Sequence, residues 1–222
     1  MKTAKQVLIC ILFLMTFCLA GCNQSSESAI DENKLEYGAT IDQLKRPTFD
    51  VPIPVEYDRR FVTQDEGFLL SYNYEAINTN DAELFKSTCY GDYVAFLTER
   101  SKLTPEEYLK AQYDGIKETY LENEDFKFNM ILVENCFSPY SDIEKLREHN
   151  ISFKTLDERL AYYGDQHSEP NILSKVTDRK AVLLNLLYEK NSEPGSAFSM
   201  ERRTGSLAVK YLYTIDGKPY LF

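Results

Sequence analysis

Leu207-Ala208-Val209-Lys210-Tyr211-Leu212-Tyr213-Thr214-Ile215-Asp216-Gly217-Lys218-Pro219-Tyr220-Leu221-Phe222 is the stretch that decides the fold class. Leu207, Val209, Tyr211, Tyr213 and Ile215 recur at every second position, which is the period of a strand and not of a helix. Asp216-Gly217 then supplies two residues that tolerate positive φ, the requirement of a two-residue hairpin turn. The chain therefore returns antiparallel as Tyr220-Leu221-Phe222. Working back, Lys180 to Glu189 sets Val182, Leu184, Leu186 and Tyr188 at the same period; its composition also suits a helix, and the strands that follow favour a strand. Phe126, Phe128, Met130 and Leu132 repeat the period. These segments all fall in the second half of the chain and predict an antiparallel sheet.

The first half carries helix signals. Thr63-Gln64-Asp65-Glu66 is a capping box, in which hydroxyl and carboxylate each satisfy an exposed backbone amide; Leu69, Tyr72 and Ala76 with Leu70, Tyr74 and Ile77 come next as one broad apolar face. Asn80-Asp81 opens a second helix through Leu84, Phe85 and Thr88, broken at Gly91, and Tyr93, Val94, Phe96 and Leu97 suggest a further turn or two. Thr104-Pro105-Glu106-Glu107 joins an N-cap to a proline at the first helical position. Leu109, Gln112, Tyr113, Ile116 and Tyr120 run behind it at helical spacing. Between the strands, Ser141-Asp142-Ile143-Glu144 and Thr155-Leu156-Asp157-Glu158 read as two more capping boxes, the second helix stopped by Gly164. Helices first and strands afterwards define an α+β domain: N-terminal helices packed on a curved antiparallel sheet, with Ser141 to Gly164 as a helical insertion.

That order resembles the cone-shaped nuclear-transport-factor-2-like fold. The residues carrying the likeness are Leu-Leu-Ser-Tyr-Asn-Tyr-Glu-Ala-Ile-Asn-Thr-Asn-Asp-Ala-Glu-Leu-Phe at 69 to 85, where a helix ends in a polar turn and an Asp-capped helix begins, and the closing Tyr-Thr-Ile-Asp-Gly-Lys-Pro-Tyr-Leu-Phe. A Trp is commoner in that family where Pro219 or Tyr220 stands. The likeness covers Thr63 to Phe222 and implies a concave pocket, not an activity.

The amino terminus is a different kind of sequence. Lys2 and Lys5 precede an apolar run from Val7 to Ala20, about 14 residues against the roughly 20 that a spanning helix needs. Leu19-Ala20-Gly21-Cys22 then resembles the bacterial lipobox, a Leu, two small residues and a Cys. The resemblance implies cleavage between Gly21 and Cys22 and a diacylglyceryl thioether on Cys22, with a lipid anchor in place of a spanning helix. The alternative is an uncleaved signal anchor. The organisation expected is a signal peptide over 1–21, a lipidated Cys22 with a polar tether over 22–60, and a single domain over 61–222. Within the tether, Ile41 to Leu44 suits a turn of helix, and Phe49, Val51, Ile53 and Val55 alternate as an edge strand would.

Met1 to Gly21 contains two lysines and no acid, so losing it takes the formal charge from -10 to -12. An acidic domain of that charge is a poor partner for nucleic acid or for an anionic membrane surface. Of the five cysteines, Cys10 and Cys18 belong to the signal and Cys22 to the anchor. Cys89 and Cys136 remain, either as one disulfide, which an extracytoplasmic site permits, or as two separately buried thiols.

Motifs of known chemistry are missing: the sequence contains no GxSxG, Walker A, HExxH or EF-hand loop. Asn78-Thr79-Asn80-Asp81 starts like a calcium loop but lacks its glycine and distal Glu. Glu122, Glu124 and Asp125 form a charge run of the kind that usually solvates a helix end. His149 and His167 are the only histidines and sit in hydrophilic surroundings, and no cofactor or metal is expected. The residues leave two readings. The favoured one is a lipid-anchored, non-catalytic domain that binds a small ligand, peptide or protein at the cell envelope. The alternative is an enzyme of hydratase or isomerase type with an Asp or His base in the cone.

Overall fold

The computed structural model describes residues 34–39, 45–47, 50–201 and 207–222, with backbone only at 45–47 and no side chain at 100. The segment expected as a signal peptide, with Gly21 and Cys22, and the turn expected at Ile41 to Leu44 lie outside the described residues. The chain divides into two units, Met1–Leu35 and Glu36–Phe222, and the sheet and its helices belong to the second.

The elements of this second unit are β1 (Lys45–Pro47), β2 (Val55–Asp58), α1 (Gln64–Thr79), α2 (Ala82–Thr88), α3 (Tyr93–Ser101), α4 (Pro105–Tyr120), β3 (Phe126–Phe137), α5 (Ile143–Glu148), α6 (Phe153–Gln166), a 3-10 turn (Ile172–Lys175), β4 (Val176–Lys190), β5 (Glu193–Ser199), β6 (Ala208–Ile215) and β7 (Lys218–Leu221). The class is α+β, with the sheet built mainly from the second half of the chain. Seven strands run in the order β1-β2-β3-β4-β6-β7, with β5 also paired to β4. Only β2 and β3 are parallel. β4 is the spine: β3 occupies one edge, and the other is shared between β6 over Val176–Leu184 and β5 over Leu187–Lys190. Register shifts at Phe128/Met130 and Val133/Asn135 leave Asn129 and Glu134 unpaired in β3. Such bulges bend a strand and increase its twist.

The local signals explain most helix starts. Thr63 and Glu66 form a reciprocal box at α1, Thr104 and Glu107 do so at α4, and Asp81 caps α2 by accepting from the Leu84 amide. Asp216 (φ 49°) and Gly217 (φ 77°) make the hairpin turn between β6 and β7. Two starts differ from expectation. At α5 the cap is Asp142, because the Ser141 hydroxyl is already taken by the Ser138 amide. α6 begins at Phe153, capped by Ser152, which places Thr155 inside the first turn with its hydroxyl 2.8 Å from that of Ser152. Nor does Gly164 stop α6, which runs to Gln166. Gly164 is glycine because the chain returns over it, and a Cβ there would collide with the Glu169 carbonyl.

Part of the segment expected as a tether over 22–60 is folded. Ile53 and Val55 are fully buried, and β2 lies between β1 and β3, its neighbour Pro54 accepting from the Ile131 amide at 2.9 Å. Asp58 is buried and held by the Arg60 guanidinium, which also donates to the Glu36 carbonyl, while Tyr37 donates to the Val133 carbonyl at 2.6 Å. Among the described residues the second unit thus reaches back to Glu36. A strand of four residues preceded by prolines reads as linker until an edge of β3 is there to receive it.

Past the end of β2 that edge is finished by side chains. Asn78 of α1 accepts from the Phe128 amide (2.9 Å) and donates to its carbonyl (3.0 Å). The Tyr113 hydroxyl of α4 brackets Phe126 in the same way, 3.1 Å to each group, with the two rings stacked at 4.6 Å. The two helices are thereby pinned to the sheet at a fixed height. They leave a space between their inner faces and the middle of β4 and β6.

Candidate functional site

That space is a cavity of about 220 Å³. Tyr74 and Ile77 of α1 and Gln112, Ile116 and Tyr120 of α4 form its roof; Leu184 and Leu186 of β4 with Ala208 and Lys210 of β6 form its floor. Met200 and Leu207 complete the wall. Most of this lining is apolar, so the polar exceptions define its chemistry.

Lys210 is the first exception. It is half-buried, its ammonium lies 5.4 Å from the Tyr74 ring centroid, and among the described residues no acid pairs with it. Burial pulls its amine below the ordinary lysine value, opposed only by the nearby Cys89. Cys89 is a weak counter-charge, because burial pushes its own thiol up and keeps it protonated at neutral pH. The second exception is the Gln112 amide nitrogen, which is buried without a hydrogen-bond partner among the described residues. Leaving a donor in that state costs about 1–3 kcal/mol.

The side chains singled out by sequence go elsewhere. His149 ends α5 with its ring 5.5 Å from that of Phe137, and His167 ends α6, stacked on Tyr163 with Nδ1 2.9 Å from the Tyr163 carbonyl oxygen. Neither lines the cavity, and no acid is among the residues that do. Asn80 and Asp81 are occupied as helix caps. In the acidic run, Glu124 pairs with Lys190 and Asp125 with Lys117. Among the described residues no cluster of His, Cys, Asp or Glu suits a metal ion.

Cys89 and Cys136 are free thiols, so the disulfide alternative is not realised. Cys89 ends α2 and bridges to Leu221, whereas Cys136 sits in β3 opposite Val182 and faces Lys180 and Glu66; each is isolated in its own packing environment. Burial pushes the Cys136 thiol up to about 12. Of the tyrosines, Tyr113 anchors α4 and Tyr163 packs with Tyr90, Tyr93 and Phe96; Tyr120 reaches the cavity.

Sequence reasoning passed over Lys210 and Gln112. A signal for the first was present. Ala208, Lys210 and Leu212 share one parity of β6, and a lone charge between two apolar residues on a strand whose other parity is also apolar is out of place on any solvated face. A comparison with protein families, with curated proteins and with solved structures finds no match for this chain. Among the described residues no helix is long and apolar enough to cross a membrane.

Proposed function

We propose that the chain is a lipid-anchored protein of the bacterial cell envelope whose folded unit binds a small ligand in the cavity beneath α1 and α4. The observation that carries the binding half is the cavity itself, an apolar space with an unpaired lysine and an unpartnered amide in its lining. The lipobox Leu19-Ala20-Gly21-Cys22 supports the anchoring half. What supports binding is the apolar lining with its open donors; Asp and His, the bases named for the isomerase alternative, are not among the lining residues.

Two measurements test it. Mass spectrometry of the chain expressed in a bacterium should show an acylated amino-terminal Cys22, with the acyl mass lost in Cys22→Ala; a full-length product retained in the membrane would replace lipidation by a signal anchor. Neutral phenylpropanol should shift the methyl resonances of Ile77, Leu184 and Leu186. Resonances unmoved by phenylpropanol and by its acid and amine analogues alike would overturn the binding reading.

A further inference from the structure

The Lys210 ammonium and the Gln112 amide nitrogen in the cavity lining are both donors. An ammonium offers three N–H bonds and the amide nitrogen two, and neither can accept. A ligand that satisfies them must present acceptors, and the uncompensated charge of Lys210 favours an acceptor that is anionic. The rest of the wall, Ile77, Ile116, Leu184 and Leu186, requires an apolar body. Size bounds that body: an apolar cavity of about 150 Å³ accepts benzene, so about 220 Å³ suits a molecule of about ten non-hydrogen atoms.

We propose that the ligand is a small amphipathic monocarboxylate, with its carboxylate on Lys210 and Gln112 and its apolar end against Leu184 and Leu186. This rests on the binding reading above and adds the charge and polarity of what is bound. A carboxylate takes charge-assisted hydrogen bonds from the lysine and still has lone pairs for the amide. A dianion would leave one charge unpaired in an apolar space, and an amine would meet Lys210 with like charge. The acidic surface of the domain gives no general attraction for anions, so selectivity would come from this pair alone.

The test uses the full chain in nanodiscs of zwitterionic lipid, titrated with phenylpropionate, phenylpropanol and phenylpropylamine while the methyl resonances of Ile77, Leu184 and Leu186 are monitored. Phenylpropionate should bind at least tenfold more tightly than phenylpropanol, with phenylpropylamine the weakest. Lys210→Met should abolish the preference for the acid while retaining the alcohol, and Gln112→Leu should reduce that preference a few-fold. Equal binding of acid and alcohol by the unaltered chain would overturn the charge assignment and leave the cavity reading intact. If none of the three compounds moves the resonances, the cavity reading itself fails. Inorganic phosphate binding as tightly as phenylpropionate would overturn the requirement for an apolar body.

Discussion

Lys180 and Lys210 stand on neighbouring strands almost side by side, with Lys180 opposite Leu212 and Lys210 opposite Val182 in the register of β4 and β6. Their surroundings are opposite. Lys180 donates to both oxygens of Glu66, at 2.9 and 3.0 Å, and lies 3.2 Å from Asp178. Burial pulls its amine down, but the hydrogen bonds and charges of Glu66 and Asp178 outweigh that, and it titrates above an ordinary lysine. Lys210 has burial without a partner acid and titrates below. One lysine is part of the framework that docks α1 on the sheet. The other lines a cavity with its charge against the Tyr74 ring and, among the described residues, no acid to pair it. A buried cation that is paired reads as structure, and one that is not reads as a site.

The comparison breaks most visibly at Glu66, only 3 % exposed. Its carboxylate closes the Thr63 capping box and holds Lys180 at once. Glu66→Gln should lower stability by about 2 kcal/mol, because it leaves the half-buried Lys180 with Asp178 as its remaining acid. Chemical denaturation measures this. A loss well under 1 kcal/mol would mean that Lys180 is solvated and that the two lysines do not differ in kind. Lys180→Met should cost about as much, since it strands the more deeply buried Glu66 carboxylate, whereas Gln at position 66 can still close the Thr63 capping box.

Comparable in size is the effect at Asn78, which belongs to the paired framework without carrying charge. Asn78→Leu keeps the volume but removes both hydrogen bonds to the Phe128 backbone. The expected loss is about 2 kcal/mol, by the cost of unsatisfied buried groups. Hydrogen exchange at the Phe128 amide should accelerate well beyond the global change in stability. Unaltered exchange there would show that β2 or water already serves that edge.

How much of the molecule was legible in the sequence depends on the range of each interaction. The caps at Thr63, Asp81 and Thr104 act within three residues, and the hairpin at Asp216-Gly217 within two, so those elements could be read locally. β2 could not, because its burial depends on β3 far along the chain, and Pro52 and Pro54 mimic a linker. Asn78 looked like the end of a helix and proves to be the cap of a sheet edge. The site was the least legible part: Gln112 and Lys210 come to line one cavity only when α4 is pinned over the sheet through Tyr113. Searching for histidines and cysteines missed a site made from a lysine and an amide.

The smallest expected effect is also the most specific, because it runs against the usual direction of mutation. Lys210→Met preserves the length of the stem while removing a charge that no acid offsets, so it should raise stability by about 1 kcal/mol at neutral pH. The pH dependence separates it from generic gains. Lys210 has its folded value below the ordinary 10.5, so the unfolded chain binds more protons between those two values, and the native protein gains stability as pH rises through that window. Cys89 and Tyr74, the titratable groups beside it, are both shifted up by burial and stay protonated through neutral pH. The advantage of Lys210→Met should therefore shrink as pH approaches 10.5. For Lys180 the sign reverses: its folded value lies above 10.5, its contribution is whole below that pH, and the deficit of Lys180→Met should narrow only beyond it. Denaturation curves of the two variants against pH should thus diverge from the parent in opposite directions at neutral pH and converge in different windows. Parallel curves would remove the physical distinction on which the assignment of Lys210 to a binding site rests.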